Sequence, residues 1–195
     1  MKILYLMRHG ETLFNLRRKM QGWCDSPLTE RGKKQALKAK KYFDDHHITF
    51  DHAYSSPSER ACDTIELITD MPYTRVKGLK EWNFGIFEGE SQDLIPPIPY
   101  GNYFQPFGGE GQWEMQQRVS DTLTEIMNRE GHETVLAVSH GAAARGLVRQ
   151  WEKNGRVSVD RPLSNCCILK FGFENNEFIL LEKIEHDFSD ISEQK

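Results

Sequence analysis

The chain has 195 residues, 38 % hydrophobic and 28 % charged, with a formal net charge of −4. That composition suits one soluble globular unit with a sizeable core and is far from the disordered class. It argues against a broad nucleic-acid surface, while an anionic small molecule stays open, because a pocket can be positive on a negative protein. The N-terminal apolar run, Ile3 to Met7, is too short for a signal-peptide core and is broken by Arg8-His9, and no stretch approaches a transmembrane length. A cytoplasmic protein is expected. Cys24, Cys62, Cys166 and Cys167 form no CxxC pair and read as free thiols, the last two pointing to opposite faces of a strand.

Ile3 to Met7 has the continuous apolarity of a strand buried on both faces. A polar loop and the basic run Arg17 to Lys19 follow, the latter read as a solvated face. Ser26 to Glu30 looks like a helix entry, and Ala36, Leu37, Ala39 and Phe43 among lysines give an amphipathic helix. A strand over Phe50–Ser55 and a helix from Ser56-Pro57 to about Ile68 come next, then a short strand at Tyr73–Val76. Ser91 to Gly111 holds four prolines, four glycines and four aromatics; it cannot be a long regular helix and reads as a lid or pocket wall packed on its own rings. Helices over Gln112–Arg129 and Ala142–Trp151 bracket a buried strand, Thr134–Ser139. A hairpin over Cys166–Phe173 and Glu177–Glu182, turning at Asn175-Asn176, closes the chain. The expected fold class is α/β, a three-layer sandwich with a mostly parallel central sheet flanked by helices. Residues 1–195 are expected to form a single domain, with 91–111 as a lid-like insertion.

In such sheets ligands bind beyond the carboxyl ends of the strands. Two expected strands end on histidine, at Arg8-His9-Gly10 and at His140-Gly141, and a third leads shortly to Arg60. Phosphoryl transfer without a metal needs these parts. A neutral imidazole attacks phosphorus in line, cationic donors hold the oxygens, and an acid protonates the leaving group. Arginine suits the second task because its planar fork matches phosphate, and its charge also keeps a neighbouring histidine neutral.

The order of these segments carries a resemblance. RHGET (Arg8 to Thr12) with Asn15, QGWCDSPLTERGKKQA (Gln21 to Ala36), SSPSERACDT (Ser55 to Thr64), LKEWNFGIFEG (Leu79 to Gly89), GGEGQWEMQQR (Gly108 to Arg118) and VLAVSHGAAARGLV (Val135 to Val148) together resemble the histidine phosphatase superfamily. Its phosphoglycerate mutase-like branch, and within it the small phosphatases, gives the best likeness. The resemblance implies the phosphoglycerate mutase-like fold and a set of roles. His9 would be the nucleophile, passing through a phosphohistidine. Arg8, Arg60 and His140 would hold the phosphoryl oxygens, with Asn15 as a neutral donor. Glu81 would serve as general acid and base, and Gln21 and Gly22 would line the pocket mouth. No metal and no cofactor are expected, and the partner is a small phosphorylated metabolite rather than a nucleic acid or a membrane. The sequence does not give the oligomeric state.

Gly111 replaces the family's usual serine, and small residues follow His140-Gly141 where bulkier ones are common. Arg145 is expected to face solvent, and Glu88 and Glu90 read as solvated carboxylates. His46, His47, His52, His132 and His186 match no motif position and read as surface or structural. The absence of lysine and arginine between Ser91 and Gln117 favours a phosphatase over a mutase and suggests a substrate whose remainder is uncharged. The alternatives are mutase-type phosphoryl transfer and a catalytically silent binder of a phosphorylated ligand.

Overall fold

A computed structural model describes residues 1–97, 99–154, 157, 159 and 162–191. One six-stranded sheet organises them: β1 (Lys2–Arg8), β2 (His52–Ser55), β3 (Tyr73–Arg75), β4 (Thr134–Ser139), β5 (Ile168–Glu174) and β6 (Glu177–Ile184), in the order β3-β2-β4-β1-β5-β6. β1 to β4 run parallel, and β5 and β6 form the antiparallel edge. The mostly parallel sandwich expected from sequence is what forms.

The layers follow from side-chain alternation along the buried strands. Leu4, Leu6, Val135 and Ala137 face one way, against α4 (Gln112–Asn128) and α5 (Gly141–Gln150) through Met115, Val119, Leu123 and Leu147. Tyr5, Met7, Leu136 and Val138 face the other way, against α2 (Glu30–Asp45) and α3 (Glu59–Ile68) through Ala36, Ala39, Phe43, Ala61 and Ile65. The four cysteines are free thiols, and Cys166 and Cys167 do divide between the two faces. They lie in the turn before β5, however, and Cys166 takes a left-handed φ of 56°.

Helix starts explain how loops are fixed around the strand ends. α2 begins at Thr29, whose hydroxyl accepts the Gly32 N–H at 2.9 Å. α3 and α5 have no such local side-chain bond at their own caps, Ser58 and His140. Carboxylates from distant loops serve instead: Asp25 accepts the Glu59 N–H at 2.5 Å, and Glu81 accepts those of Ala142 and Ala143 at 3.0 and 2.8 Å. At α4, the Glu114 carboxylate accepts the N–H of the cap residue Gly111 at 2.9 Å, the half of a capping box that needs no side chain at the cap; the half a serine hydroxyl would add is not made by Gly111.

One short helix, α1 (Leu13–Leu16), falls where a loop was expected. Thr12 and Asn15 close it reciprocally, through Asn15 N–H to the Thr12 hydroxyl and Thr12 N–H to Asn15 Oδ1, both 3.2 Å. Among the described residues of 91–111, Gln92–Leu94 and Gln105–Phe107 form single 3₁₀ turns, and no long helix forms, as the prolines require. Phe104 anchors it with no exposed surface, its ring 5.0 Å from Phe84, 5.1 Å from Tyr103 and 5.7 Å from both Phe87 and Tyr100.

Candidate active site

The carboxyl ends of β1, β2 and β4 lie side by side, with Arg8 opposite Ser139 and Ser55 opposite Val138. The backbone continues this pairing past the strands: the His9 N–H donates to the Ser139 carbonyl at 3.0 Å and the Ser56 N–H to that of Val138 at 2.9 Å. His9 and His140 are thereby brought together, their ring centroids 5.2 Å apart and nearly edge to face. His9 is 3 % exposed and His140 has no exposed surface.

His9 has a defined tautomer. A carbonyl only accepts, so the 2.7 Å contact with Gly10 O places the ring hydrogen on Nδ1 and the lone pair on Nε2. Burial, then the Arg60 charge, then the Arg8 charge push its pKa well below the ordinary 6.5. The ring is neutral near physiological pH. Burial, Arg60, His9 and Arg8, in that order, depress His140 in the same direction.

Arg60 is completely buried, and each of its three nitrogens has a partner. Its Nη2 donates to Gly22 O at 2.7 Å, its Nη1 to Cys24 O at 2.9 Å and to the Asp25 carboxylate at 2.8 Å, and its Nε to His9 Nε2 at 3.3 Å. It therefore ties the 22–25 loop to the histidine. Arg8 donates through Nη1 to Leu163 O, while its Nε is buried without a protein partner among the described residues. Burial lowers the Arg8 pKa. His140 bonds Ser56 Oγ through Nε2 at 2.7 Å, and its Nδ1 is likewise buried and unpartnered among the described residues.

In front of the histidines lies a cleft of about 190 Å³ that includes Arg8, Asn15, Gln21, Gly22, Arg60 and Glu81 in its lining. Six of the eight residues singled out from sequence line it; His9 and His140 do not, and His9 Nε2 lies against Arg60 Nε, one of the lining side chains. Asn15 Oδ1 is occupied by Thr12 N–H and by Asn165 Nδ2 at 3.0 Å, which leaves the amide nitrogen as its donor. The Gln21 amide is spent on Thr12 and Ser26 at 2.9 and 3.2 Å, so it shapes the wall. Gly22 has a φ of +53°, and a Cβ there would sit 2.3 Å from Glu88 Oε1. Glu81 accepts N–H groups from Trp82 and Ala143 on Oε1 and from Ala142 on Oε2, which leaves Oε2 a lone pair for a proton.

Three expectations need correction. Glu88 is no solvated carboxylate. It accepts the N–H groups of Trp23, Phe84 and Cys24 at 2.8, 3.1 and 2.6 Å and pins the two halves of the cleft mouth together. Arg145, expected in solvent, lines the cleft, and so does Lys19 from the basic run, its ammonium donating to Gly89 O at 2.8 Å. His132, read as surface or structural, is structural: it is buried and stacked on His52 at 3.6 Å, with its Nε2 2.7 Å from the Tyr54 hydroxyl. The cations missing from residues 91–117 are thus supplied to the cleft from elsewhere.

Sequence reasoning also missed Glu110 and Arg118. Their two-pronged ion pair, 2.7 and 2.8 Å, holds Arg118 against the carbonyls of Gly78, Lys80 and Glu81 and so fixes the backbone that carries Glu81. Their spacing of eight residues gives no local signal, although both fall within the last-but-one of the matching segments.

Residues 4–185 match the model of the histidine phosphatase superfamily, branch 1. The chain belongs to that family. It is 29 % identical over 185 residues to the uncharacterized phosphatase PhoE of Bacillus subtilis, covering 91 % of this chain and 92 % of that one. It is 36 % identical over 172 residues to the 2,3-bisphosphoglycerate-dependent phosphoglycerate mutase of a Bradyrhizobium species, covering 78 % and 82 %. Among solved structures, Entamoeba histolytica phosphoserine phosphatase in complex with 3-phosphoglyceric acid superimposes with a TM-score of 0.79 at 27 % identity, over 96 % of this chain and 99 % of that one. Phosphatases and mutases both stand among its relatives.

Proposed function

We propose that the protein is a phosphomonoesterase working through a phosphohistidine on His9. The observation that carries this reading is the His9 ring. Its Nδ1–H is committed to Gly10 O, and its Nε2 lone pair faces Arg60; burial, then the Arg60 and Arg8 charges, keep it unprotonated.

A phosphoryl group entering the cleft displaces the Arg60 Nε–His9 Nε2 contact and takes that guanidinium as its own donor. His9 Nε2 attacks phosphorus, and the bond to the ester oxygen breaks. Glu81 Oε2 gives that oxygen its proton. Glu81 then takes a proton from water, which attacks phosphorus and releases His9 and inorganic phosphate. Arg8 Nε supplies a further donor to the phosphoryl oxygens. With the Ser56 hydroxyl donating to His140 Nε2, His140 Nδ1–H supplies another. Both nitrogens are buried without a protein partner among the described residues, which costs about 1–3 kcal/mol each until an acceptor arrives.

No metal takes part in this scheme: Arg8 and Arg60 supply the positive charge. Among the described residues no three His, Cys, Asp or Glu side chains converge as metal ligands would. A cytoplasmic location fits the free thiols, and no described helix is long and apolar enough to cross a membrane. Residues 91–111 cover one wall of the cleft through Gln92, Ile95 and Tyr100. Mutase-type transfer is the second reading, favoured by relatives named phosphoglycerate mutases.

The test is phosphate release from a panel of phosphomonoesters with EDTA present, comparing wild type with His9→Ala. Release by the wild type alone supports hydrolysis. Phosphoglycerate isomerisation faster than phosphate release supports the mutase, and equal release by both proteins removes His9.

A further inference from the structure

The start of α5 lies against Arg8, since a Cβ at Gly141 would sit 3.4 Å from Arg8 Nε. Arg145 follows one helical turn later, about 6 Å along the axis. Helical side chains lean toward the N-terminus, which carries Arg145 back over the cleft. There it shares the wall with Phe84, Ile95 and Tyr100. It also borders a second, smaller cavity of about 30 Å³ with Trp82, Met115 and Arg149. Tyr100 and the small side chain of Ala142 lie in both linings, as Arg145 does.

This position is electrostatically costly. Arg145 is half-buried, and burial and then the Arg149 charge lower its pKa, with Tyr100 and Glu81 opposing. A guanidinium withdrawn from water beside another gains from an anion placed between them and the cleft. Lys19, on the same cleft, adds to that field.

On the phosphomonoesterase reading above, we infer that Arg145 determines specificity by binding a carboxylate on the leaving group of the substrate. The substrate is then a compact ester. One end is the phosphate held at Arg8 and Arg60, and the other is an acid at Arg145, which lines the same cleft. A cleft of about 190 Å³ has room for a molecule of that size. The cationic pole comes from α5 rather than from the lid-like segment, so the composition of residues 91–117 gave no sign of it.

Two esters differing by this one group decide the matter: 3-phosphoglycerate and glycerol 3-phosphate. Their affinities are measured by calorimetry on His9→Ala, which binds without turnover, and on His9→Ala combined with Arg145→Ala or Arg145→Lys. The expected result is that 3-phosphoglycerate binds about tenfold tighter than glycerol 3-phosphate, a margin that Arg145→Ala abolishes and Arg145→Lys partly restores. Glycerol 3-phosphate affinity stays within about twofold throughout. Equal affinity for the two esters, equal loss of both on removing Arg145, or no binding of either overturns the inference. Hydrolysis of the same esters by wild type tests the underlying reading separately. A retained binding margin without His9-dependent phosphate release would overturn the phosphatase and leave the role of Arg145 standing.

Discussion

The Arg60 guanidinium reaches His9 Nε2 at 3.3 Å while its other nitrogens hold the carbonyls of Gly22 and Cys24 and the carboxylate of Asp25. One buried side chain therefore holds the cleft mouth and makes the largest charge contribution to keeping the histidine neutral, after burial itself. Both consequences can be measured.

The first is the acid limb of the pH–rate profile. In the wild type His9 is depressed well below 6.5, first by burial and then by Arg60, so activity persists below about pH 6.5. Arg60→Met removes the largest charge contribution, and the limb moves to higher pH whatever the loss in rate. An unmoved limb in a variant with measurable activity would show that Arg60 does not control His9.

Asp25 offers the second. Its bridge to Arg60 at 2.8 Å is buried on the arginine side and about a quarter exposed on its own. Asp25→Ala strands the buried guanidinium and removes the acceptor at the start of α3, so it should cost about 3 kcal/mol of unfolding free energy. Denaturant unfolding measures this, and a cost under about 1 kcal/mol would place the bridge among ordinary surface pairs.

Much of this architecture was legible in the sequence. Strands buried on both faces appear as unbroken apolar runs, and β1 and β4 were located within one residue. The motif segments placed Arg8, His9, Arg60, Glu81 and His140 at one end of the sheet because each follows a strand or loop ending there. What escaped was set by tertiary geometry. Glu88 reads as a surface carboxylate because its partners Trp23 and Cys24 lie more than sixty residues away. Arg145 reads as solvated because the azimuth of α5 is decided by Leu147, Ala143 and Ala144 packing inward, which a run of alanines does not announce. The helix α1 is one turn long, below the length at which periodicity is visible.

Glu81 should separate chemistry from structure by leaving group. Removing a general acid costs about 10²–10⁴ in rate when the leaving alkoxide is poor and far less when it is good. Glu81→Ala is therefore expected to lose at least about a hundredfold on an alkyl phosphate and much less on p-nitrophenyl phosphate. The same change also removes an acceptor at the start of α5 and lowers stability by about 1 kcal/mol. An equal loss on both esters would reduce Glu81 to a helix cap.

Stability should fall on acidification. His9 and His140 are both held below 6.5 in the folded chain, chiefly by burial and then by Arg60, whereas both titrate near 6.5 once unfolded. Their contribution is present in full above about pH 6.5. It is lost as pH drops from there toward the folded values, at up to about 1.4 kcal/mol per pH unit for each ring. Urea unfolding of His140→Asn between about pH 6.5 and 5 should show a slope shallower by that amount. A slope identical to wild type would mean that His140 takes its proton in the folded state.

The nucleophile itself allows the most direct measurement: rapid acid-free quenching during turnover of a phosphomonoester, followed by peptide mass spectrometry. The account predicts an acid-labile, base-stable phosphate on the peptide carrying His9, absent in His9→Ala and accumulating in Glu81→Ala with an activated ester. Steady hydrolysis by the wild type with no phosphate on that peptide, or with phosphate on another residue, would contradict it.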